Sequence, residues 1–124
     1  VTVQVKIDSA IPEVLADFDK TAWVLVNYLT NAIRYSPENG SIIVKGLVVD
    51  KQVEFSVKDE GPGIEKKYMS RLFEKFYQVP GTPSGTGLGL AISKEFIEAQ
   101  QGSVSVTSEI GKGSSFSFTL PVAP

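Results

Sequence analysis

Cysteine and histidine are both missing from the 124 residues of this sequence. Without cysteine, the chain has no disulfide and no thiolate metal site, which fits a reducing cytosol. Without histidine, it has no Ser-His-Asp triad, no imidazole base, no histidine-bound zinc and no phosphohistidine of its own. Because the sequence also starts at Val1 without an initiator methionine, we expect residues 1–124 to be a single domain of a longer protein.

An excess of positive charge is missing as well. The formal net charge is −2, and the lysines and arginines are scattered, so neither nucleic acid nor an anionic membrane is expected as a partner. No apolar run approaches the roughly 18 residues of a membrane-spanning helix, and no signal peptide is visible. We therefore expect a cytoplasmic, monomeric domain without direct membrane contact, and an inner-membrane anchor elsewhere in the parent protein stays open.

The hydrophobic periodicity predicts an α/β two-layer sandwich, with about five strands and three helices. The predicted strands are 1–7, 41–49, 52–59, 103–110 and 114–121, and the predicted helices are 20–35, 65–77 and 88–101. The strands come in pairs instead of alternating one by one with helices, which favours a mixed, mostly antiparallel sheet with the helices on one face. The first strand is expected to be half-buried through Val1, Val3, Val5 and Ile7.

A glycine-rich stretch, GTGLG at 85–89, runs directly into the third predicted helix. Successive glycines let backbone N–H groups point into a concavity, and the first turn of a helix adds unpaired N–H groups, so the stretch predicts a phosphate site. It is not a Walker A loop, because no Gly-Lys-Ser or Gly-Lys-Thr is present, and it does not follow a strand as a dinucleotide motif does. A flexible loop before a helix is the alternative that this stretch alone leaves open.

The first predicted helix carries an amide-rich face, and Asp17 or Asp19 is placed to cap its start. At about 100° per residue, four polar side chains fall together within about a third of the helix circumference: Asn27, Asn31, Arg34 and Tyr35. The apolar stripe expected to face the core lies opposite, at Leu25, Leu29 and Ile33. Asparagine disfavours helices, and its amide oxygen is a hard ligand suited to Mg²⁺, so this face is a candidate metal site. A solvated polar face is the alternative.

The stretch DEGPGI at 59–64 places Asp59 at the end of a predicted strand. An ionised carboxylate only accepts hydrogen bonds, so a buried Asp59 would select the amino group of adenine over the oxo group of guanine. The two glycines that follow let a base ring approach the backbone. A plain turn is the alternative reading of this stretch.

Five ordered stretches together resemble the N, G1, F, G2 and G3 boxes of the sensor histidine kinase ATP-binding domain, which belongs to the ATPase group of gyrase-type and mismatch-repair proteins. They are NYLTNAIRYSP, DEGPGI, LFEKFY, GTGLGLAISK and GKGSSFSFTLP. The resemblance implies a Bergerat-type ATP-binding fold with ATP and Mg²⁺ as cofactors. It also implies a protein-histidine kinase that transfers the γ-phosphoryl group to a histidine on a separate dimerisation domain, and indirectly serves a response regulator.

The resemblance assigns a role to each site residue. It makes Asn31 the Mg²⁺ ligand, and it places Asn27 and Arg34 at the phosphates as catalytic residues. The resemblance also implies a set of residues that contact the nucleotide or anchor its lid. They are Tyr35, Asp59, Gly61, Gly63, Ile64, Phe73, Phe76, Gly85, Thr86, Gly87, Leu88, Gly89 and Ser114. Among these, Asp59 takes the adenine amino group, the glycines of 85–89 wrap the phosphates, and Ser114 helps to hold an adenine-binding water.

Two departures from the family pattern bear on the reaction. In ATP-hydrolysing relatives the position of Asn27 is normally a glutamate, and because an amide cannot take a proton, we expect transfer rather than hydrolysis. The lid at 79–84 is short and has no lysine or arginine, so Lys75 or a partner residue is predicted to reach the terminal phosphate. A serine-directed kinase of the same ATPase group and a non-catalytic nucleotide-sensing module stay open as alternatives.

Overall fold

The computed structural model describes residues 1–8, 11–14, 16–81 and 88–123. In these residues the elements, in chain order, are β1 (Thr2–Ile7), α1 (Phe18–Tyr35), β2 (Ser41–Val49), β3 (Gln52–Lys58), α2 (Lys66–Met69), α3 (Gly89–Glu98), β4 (Ser103–Glu109) and β5 (Gly113–Pro121). None of the helices in this part of the chain has the length and hydropathy needed to cross a membrane.

The strands form a single mixed sheet in the order β1-β2-β3-β5-β4. β1 runs parallel to β2, which requires the crossover that α1 provides, and the other neighbouring pairs are antiparallel. The turn between β2 and β3 is the short Asp50-Lys51 connection, with Asp50 in the left-handed region at φ 55°. The predicted two-layer α/β fold with a mostly antiparallel five-stranded sheet is confirmed.

The limits of α1 follow from local chemistry. Asp17 is the N-cap, and its Oδ1 accepts a hydrogen bond of 3.0 Å from the Lys20 backbone N–H. The helix ends at Tyr35, because the residue before Pro37 is disfavoured in helical conformation and Ser36 is extended at ψ 146°. The amide-rich face therefore ends beside the turn that leads into β2.

The face of α1 that packs against the sheet agrees with the prediction only in part: Leu25 and Leu29 pack against the core, but they are not its most buried residues. Its buried residues are Val24, Tyr28 and Ala32, one position before the predicted stripe, and Ile33 is 51% exposed. The reason is that the Tyr28 ring lies against Phe116 and Phe118 while its hydroxyl donates to the Ser117 carbonyl oxygen at 3.3 Å. Asn27 and Asn31 consequently lie at the border of the core and not opposite it.

The expectation for β1 is also wrong in one respect, because its apolar residues are exposed. By register, Val3 and Val5 share the helix side of the sheet with the buried Ile42 and Val44 of β2. β1 is nevertheless an edge strand with a single neighbour, and the helices leave Val5 65% exposed.

The second predicted helix, 65–77, is α-helical only over Lys66–Met69. It continues as tight turns in which the N–H groups of Arg71 and Glu74 donate to carbonyls three residues back, at 3.2 and 3.0 Å. Phe76 then adopts a left-handed conformation at φ 65°, which no helix accommodates. This irregular segment packs Leu72 into the core beside the site.

Candidate functional site

A cavity of about 200 Å³ opens between α1, the segment that follows β3 and the start of α3. Nine residues predicted for the site line it: Asn27, Asn31, Arg34, Tyr35, Asp59, Gly63, Ile64, Gly89 and Ser114. Residues from four separate stretches of sequence thus meet in one concave surface. Such an arrangement is the usual form of a small-molecule site.

Asp59 is held in the wall of the cavity with 3% of its surface exposed. Its Oδ1 accepts hydrogen bonds from the N–H groups of Gly61 at 2.8 Å and Ser114 at 3.3 Å. Burial raises the pKa of the Asp59 carboxyl above its ordinary value, and the two backbone hydrogen bonds offset only part of that rise. The bonds also fix the orientation of a carboxylate that a ligand donor can approach from the cavity.

The glycines of DEGPGI are required by close backbone packing. A Cβ on Gly61 would lie 2.7 Å from the Tyr35 carbonyl oxygen, and Gly63 has φ +79° with its backbone against the Glu109 carbonyl. Gly63 lines the cavity, whereas Gly61 lies behind Asp59, outside the lining. The segment is anchored further along, where the Ile64 N–H donates to Ser108 Oγ at 2.8 Å.

Two serine hydroxyl groups, on β4 and β5, connect the segment after β3 to the start of β5 beside Asp59. Ser108 Oγ lies 2.9 Å from Ser114 Oγ and donates to the Gly113 carbonyl oxygen at 2.9 Å. Because Gly113 accepts the Ser108 proton in that bond, the Ser114 hydroxyl is the donor to Ser108 when both bonds form. Ser114 is therefore positioned by the same network that holds Ile64.

The last two turns of α1 provide the polar wall. Arg34 Nη1 donates to Asn31 Oδ1 at 3.3 Å, and Asn27 Nδ2 donates to Ser93 Oγ on α3 at 3.3 Å. Tyr35 closes this wall at the end of the helix. Two asparagine side chains and one guanidinium thus line the same cavity, which suits an anionic ligand accompanied by a cation.

The donor set fits magnesium that is bound together with a polyphosphate. Amide oxygens are hard neutral ligands, and Mg²⁺ usually completes its coordination with water and phosphate oxygens. Among the described residues there is no group of three or more His, Cys, Asp or Glu side chains able to hold a metal. The negative charge that stabilises the cation must therefore come mainly from the ligand.

The start of α3 faces this polar wall. Gly89 is the first residue of the helix and lines the cavity, and a Cβ added to it would collide with Asn27 Oδ1. Leu88 is the N-cap and does not line the cavity. Gly85, Thr86 and Gly87 lie outside the described residues, so their contact with phosphate stays a prediction.

Besides Gly61 and Leu88, three predicted residues do not line the cavity: Phe73, Lys75 and Phe76. Lys75 Nζ lies 3.5 Å from Glu95 Oε1, and both side chains are exposed. Phe76 is 72% exposed, while its neighbour Phe73 packs against Phe116 with ring centroids 6.4 Å apart. The roles of Lys75 at the terminal phosphate and of Phe73 and Phe76 at the lid stay predictions.

The rest of the lining, which is mostly apolar, was not anticipated as site surface, apart from Val79 at the start of the predicted lid. It consists of Pro62, Leu72, Tyr77, Gln78, Val79, Leu90 and Phe116. Some signal was present, since Pro62 lies within DEGPGI and Leu72 and Tyr77 bound LFEKFY. Apolar residues in an aperiodic stretch do not reveal which of them face a cavity, so the sequence could not separate these from core residues.

Comparison with known proteins identifies the family. The family model described as "Histidine kinase-, DNA gyrase B-, and HSP90-like ATPase" matches residues 16–124. Sensor histidine kinase WalK of Bacillus subtilis (strain 168) is 44% identical over 112 residues, which cover 85% of this chain and 18% of that protein. Adaptive-response sensory kinase SasA of Nostoc sp. is 39% identical over 125 residues, covering 98% of this chain and 31% of that protein.

Solved structures agree with the sequence comparison. Full-length ShkA, crystallised in complex with AMPPNP, matches with a TM-score of 0.87 and 34% identity over 98% of this chain and 26% of that one. The mycobacterial sensor histidine kinase MprB matches with a TM-score of 0.89 and 28% identity over 99% of this chain and 84% of that one. The chain therefore belongs to the family of histidine kinase-, DNA gyrase B- and HSP90-like ATPases, and its relatives include sensor histidine kinases. It spans less than a third of the length of the two curated relatives.

Proposed function

We propose that this chain is the catalytic domain of a protein-histidine kinase, which binds ATP with Mg²⁺ and donates the γ-phosphoryl group to a histidine on a separate dimerisation domain of the parent protein. The observation that carries the proposal is the meeting of Asp59 with Asn27 and Asn31 in one cavity. One end of that cavity offers a fixed carboxylate and the other offers amide oxygens beside a helix start. These are the groups that a purine and a metal-bound phosphate chain require.

At the purine end of the cavity, the Asp59 carboxylate accepts a hydrogen bond from the amino group of adenine. Its Oδ1 already accepts two backbone hydrogen bonds, so the side chain does not have to reorganise when the base enters. Ile64, Leu72 and Phe116 supply apolar surface on which the flat ring is removed from water. Guanine is disfavoured because its oxo group would face a carboxylate oxygen with no proton between them.

At the phosphate end, Asn31 and Asn27 hold the magnesium and the phosphate chain together with Arg34. When bound, the cation neutralises phosphate charge as the transfer proceeds. Arg34 adds a positive charge, and its guanidinium is already oriented by the hydrogen bond to Asn31 Oδ1. The first turn of α3 contributes backbone N–H groups and the positive end of its dipole.

The transfer step needs a nucleophile from outside the chain, because the sequence contains no histidine. A lone pair on a neutral imidazole nitrogen of the partner domain attacks the γ-phosphorus, a P–N bond forms, and the P–O bond to ADP breaks. The proton on the other ring nitrogen is lost to water or to a base on the partner domain. This chain contributes positioning and charge stabilisation, and Asn27 provides no base for activating water.

The histidine acceptor is favoured over serine by the relatives. The two curated relatives named above, WalK and SasA, are a sensor histidine kinase and a sensory kinase, and each is more than three times as long as this chain. We therefore infer that residues 1–124 act as one domain in a two-component protein, with a histidine-bearing dimerisation domain as direct partner and a response regulator as indirect partner. A cytoplasmic location is part of the same proposal.

Phosphoryl transfer is tested by mixing the chain with a purified histidine-bearing dimerisation fragment and γ-labelled ATP. The proposal predicts a phosphorylated fragment that is labile in acid and stable in base, and no label on this chain. A fragment with its histidine changed to glutamine is the matched control and should stay unlabelled. An acid-stable product would indicate the serine-directed alternative, and ATP binding without transfer to any cognate fragment would indicate a nucleotide sensor.

A further inference from the structure

We propose that Ser93 is a positioning residue that fixes the side-chain amide of Asn27, so that its carbonyl oxygen faces the phosphate end of the cavity. The role rests on the proposed function, because it concerns how magnesium ATP is held. Ser93 lies one turn into α3 and is fully buried, with 0% of its surface exposed. It does not line the cavity, so it acts only through the residue that it contacts.

The direction of each hydrogen bond follows from the partners. Ser93 Oγ lies 2.8 Å from the Gly89 carbonyl oxygen, which has no proton and can only accept. The hydroxyl proton is therefore committed to Gly89, and Ser93 Oγ is left as an acceptor for its second neighbour. That neighbour is the Asn27 amide, 3.3 Å away through Nδ2.

A hydroxyl that can only accept decides which way the amide points. Because Nδ2 and Oδ1 lie on opposite edges of the planar amide, binding of Nδ2 to Ser93 points Asn27 Oδ1 away from Ser93. There it lies against the backbone of Gly89, at the first residue of α3. The carbonyl oxygen is thus presented at the point where the helix start meets the cavity, and the opposite amide orientation would bring two acceptors together.

Burial makes this arrangement specific. Water cannot replace the Ser93 hydroxyl at a site with no exposed surface, so its removal leaves the Asn27 amide without a partner that distinguishes its two orientations. Gly89 adds a steric limit, because a Cβ would occupy the space of Asn27 Oδ1. Ser93 and Gly89 therefore constrain one side-chain amide at two atoms, Ser93 at Nδ2 and Gly89 beside Oδ1.

The chain offers a matched control for the test. Thr21 Oγ1 and Gln100 Oε1 form another side-chain hydrogen bond between α1 and the end of α3, also at 3.3 Å and partly buried. Thr21→Val removes that bond far from the cavity. Comparing Ser93→Ala with Thr21→Val separates orientation of Asn27 from general attachment of the two helices, and Ser93→Cys is the conservative variant.

Binding is measured by calorimetry with magnesium ATP and with adenosine, which lacks phosphates. Ser93→Ala is expected to weaken magnesium ATP binding by about fivefold to tenfold, the loss of one oriented hydrogen bond, and to leave adenosine binding unchanged. Ser93→Cys should recover part of the loss, and Thr21→Val should bind both ligands as the natural chain does. In Asn27→Ala, the added Ser93→Ala change should have no further effect on magnesium ATP.

A readout without ligand tests the geometry itself. In NMR spectra of the free protein, Ser93→Ala should shift the side-chain NH₂ signals of Asn27 and leave those of Asn31 in place, while backbone spectra show that the fold is retained. Equal weakening of adenosine and magnesium ATP, additive effects in the Asn27→Ala background, or unmoved Asn27 signals would overturn the positioning role. A natural chain that binds neither ligand would instead overturn the proposed function, and the role with it.

Discussion

Asp59 and Ser114 are joined in both directions: the Asp59 N–H donates to the Ser114 carbonyl oxygen at 2.8 Å, and the Ser114 N–H donates to Asp59 Oδ1 at 3.3 Å. This exchange connects the end of β3 to the start of β5 across the wall of the cavity. The carboxylate is therefore built into the sheet and is not a mobile side chain at a loop. A rigid acceptor of this kind is what discrimination between two purines needs.

Replacing Asp59 by asparagine should abolish the preference for adenine. An amide can present a donor where adenine also donates, so the ATP affinity should fall by about 10-fold to 100-fold, the loss of a hydrogen bond to a charged group. The affinity for GTP should fall less or rise. Calorimetry with both nucleotides measures the ratio, and Glu60→Gln, which changes the adjacent carboxylate that accepts from Ser41 N–H, is the control. An unchanged ATP affinity in Asp59→Asn would show that the adenine assignment is wrong.

The buried Asp59 carboxyl should make the stability of the free protein depend on pH. Burial raises its pKa in the folded state, so the folded protein binds more protons than the unfolded chain between the unfolded value of about 3.9 and the raised folded value. The stabilisation is full below that unfolded pKa and is lost as the pH rises through the folded one. Urea unfolding over a pH series should show this fall in the natural chain and not in Asp59→Asn. Parallel pH profiles for the two proteins would contradict it.

Asn31→Ala should remove most of the magnesium dependence of ATP binding. The amide oxygen that binds the cation is lost, and Arg34 loses the acceptor that orients it. We expect the ATP affinity in the presence of Mg²⁺ to fall by about tenfold, while the affinity measured in EDTA changes little. Thr30→Ala is the control, because Thr30 precedes Asn31 and bonds only the Val26 carbonyl in the contacts described. An equal loss with and without the metal would point to a structural effect.

Magnesium alone should bind weakly. No acidic cluster is present among the described residues, so the cation depends on the charge of the nucleotide. Titration of the free protein with Mg²⁺, followed by NMR, should leave the Asn27 and Asn31 side-chain signals unmoved until ATP is added. Saturable shifts at these signals from micromolar Mg²⁺ alone would show that the protein itself holds the metal.

Gly63 should be far more sensitive to substitution than a glycine of the same conformation in open space. Gly63→Ala adds a collision with the Glu109 carbonyl to the strain of φ +79°, whereas Gly111 has φ +82° and no atom within 4 Å of an added Cβ. We expect Gly111→Ala to cost about 1 kcal/mol and Gly63→Ala to cost 2 kcal/mol or more beyond it, by the usual scale of such strain. Chemical unfolding of both variants measures the difference, and equal costs would contradict the close packing.

The sequence predicts the sheet and more than half of the residues that line the cavity, because both depend on strong local signals. Alternation of apolar residues marks β3, β4 and β5, an apolar run marks β2, and the ordered boxes contain Asn27, Asn31 and Asp59, which line the same cavity. The exposure of the apolar residues of β1 could not be predicted, because alternation does not show that the helices leave this edge strand uncovered. The buried face of α1 was predicted only in part: Leu25 and Leu29 pack against the core, but Tyr28 was not weighed as a core residue.

Long-range geometry accounts for the rest. The turns after α2 cannot be read from LFEKFY, since phenylalanine seldom adopts the left-handed conformation that Phe76 has and no turn residue in the stretch indicates it. The bond between Ser93 and Asn27 joins residues 66 positions apart. No periodicity or motif in the sequence pairs them.

The most direct test of the proposed function is a crystal structure of this chain with magnesium and a non-hydrolysable ATP analogue. We expect the adenine amino group to lie within hydrogen-bond distance of the Asp59 carboxylate, with the metal at Asn31 and the phosphates at the start of α3. A purine bound away from Asp59, or a nucleotide with its phosphates at that carboxylate, would show that the proposed binding mode is wrong.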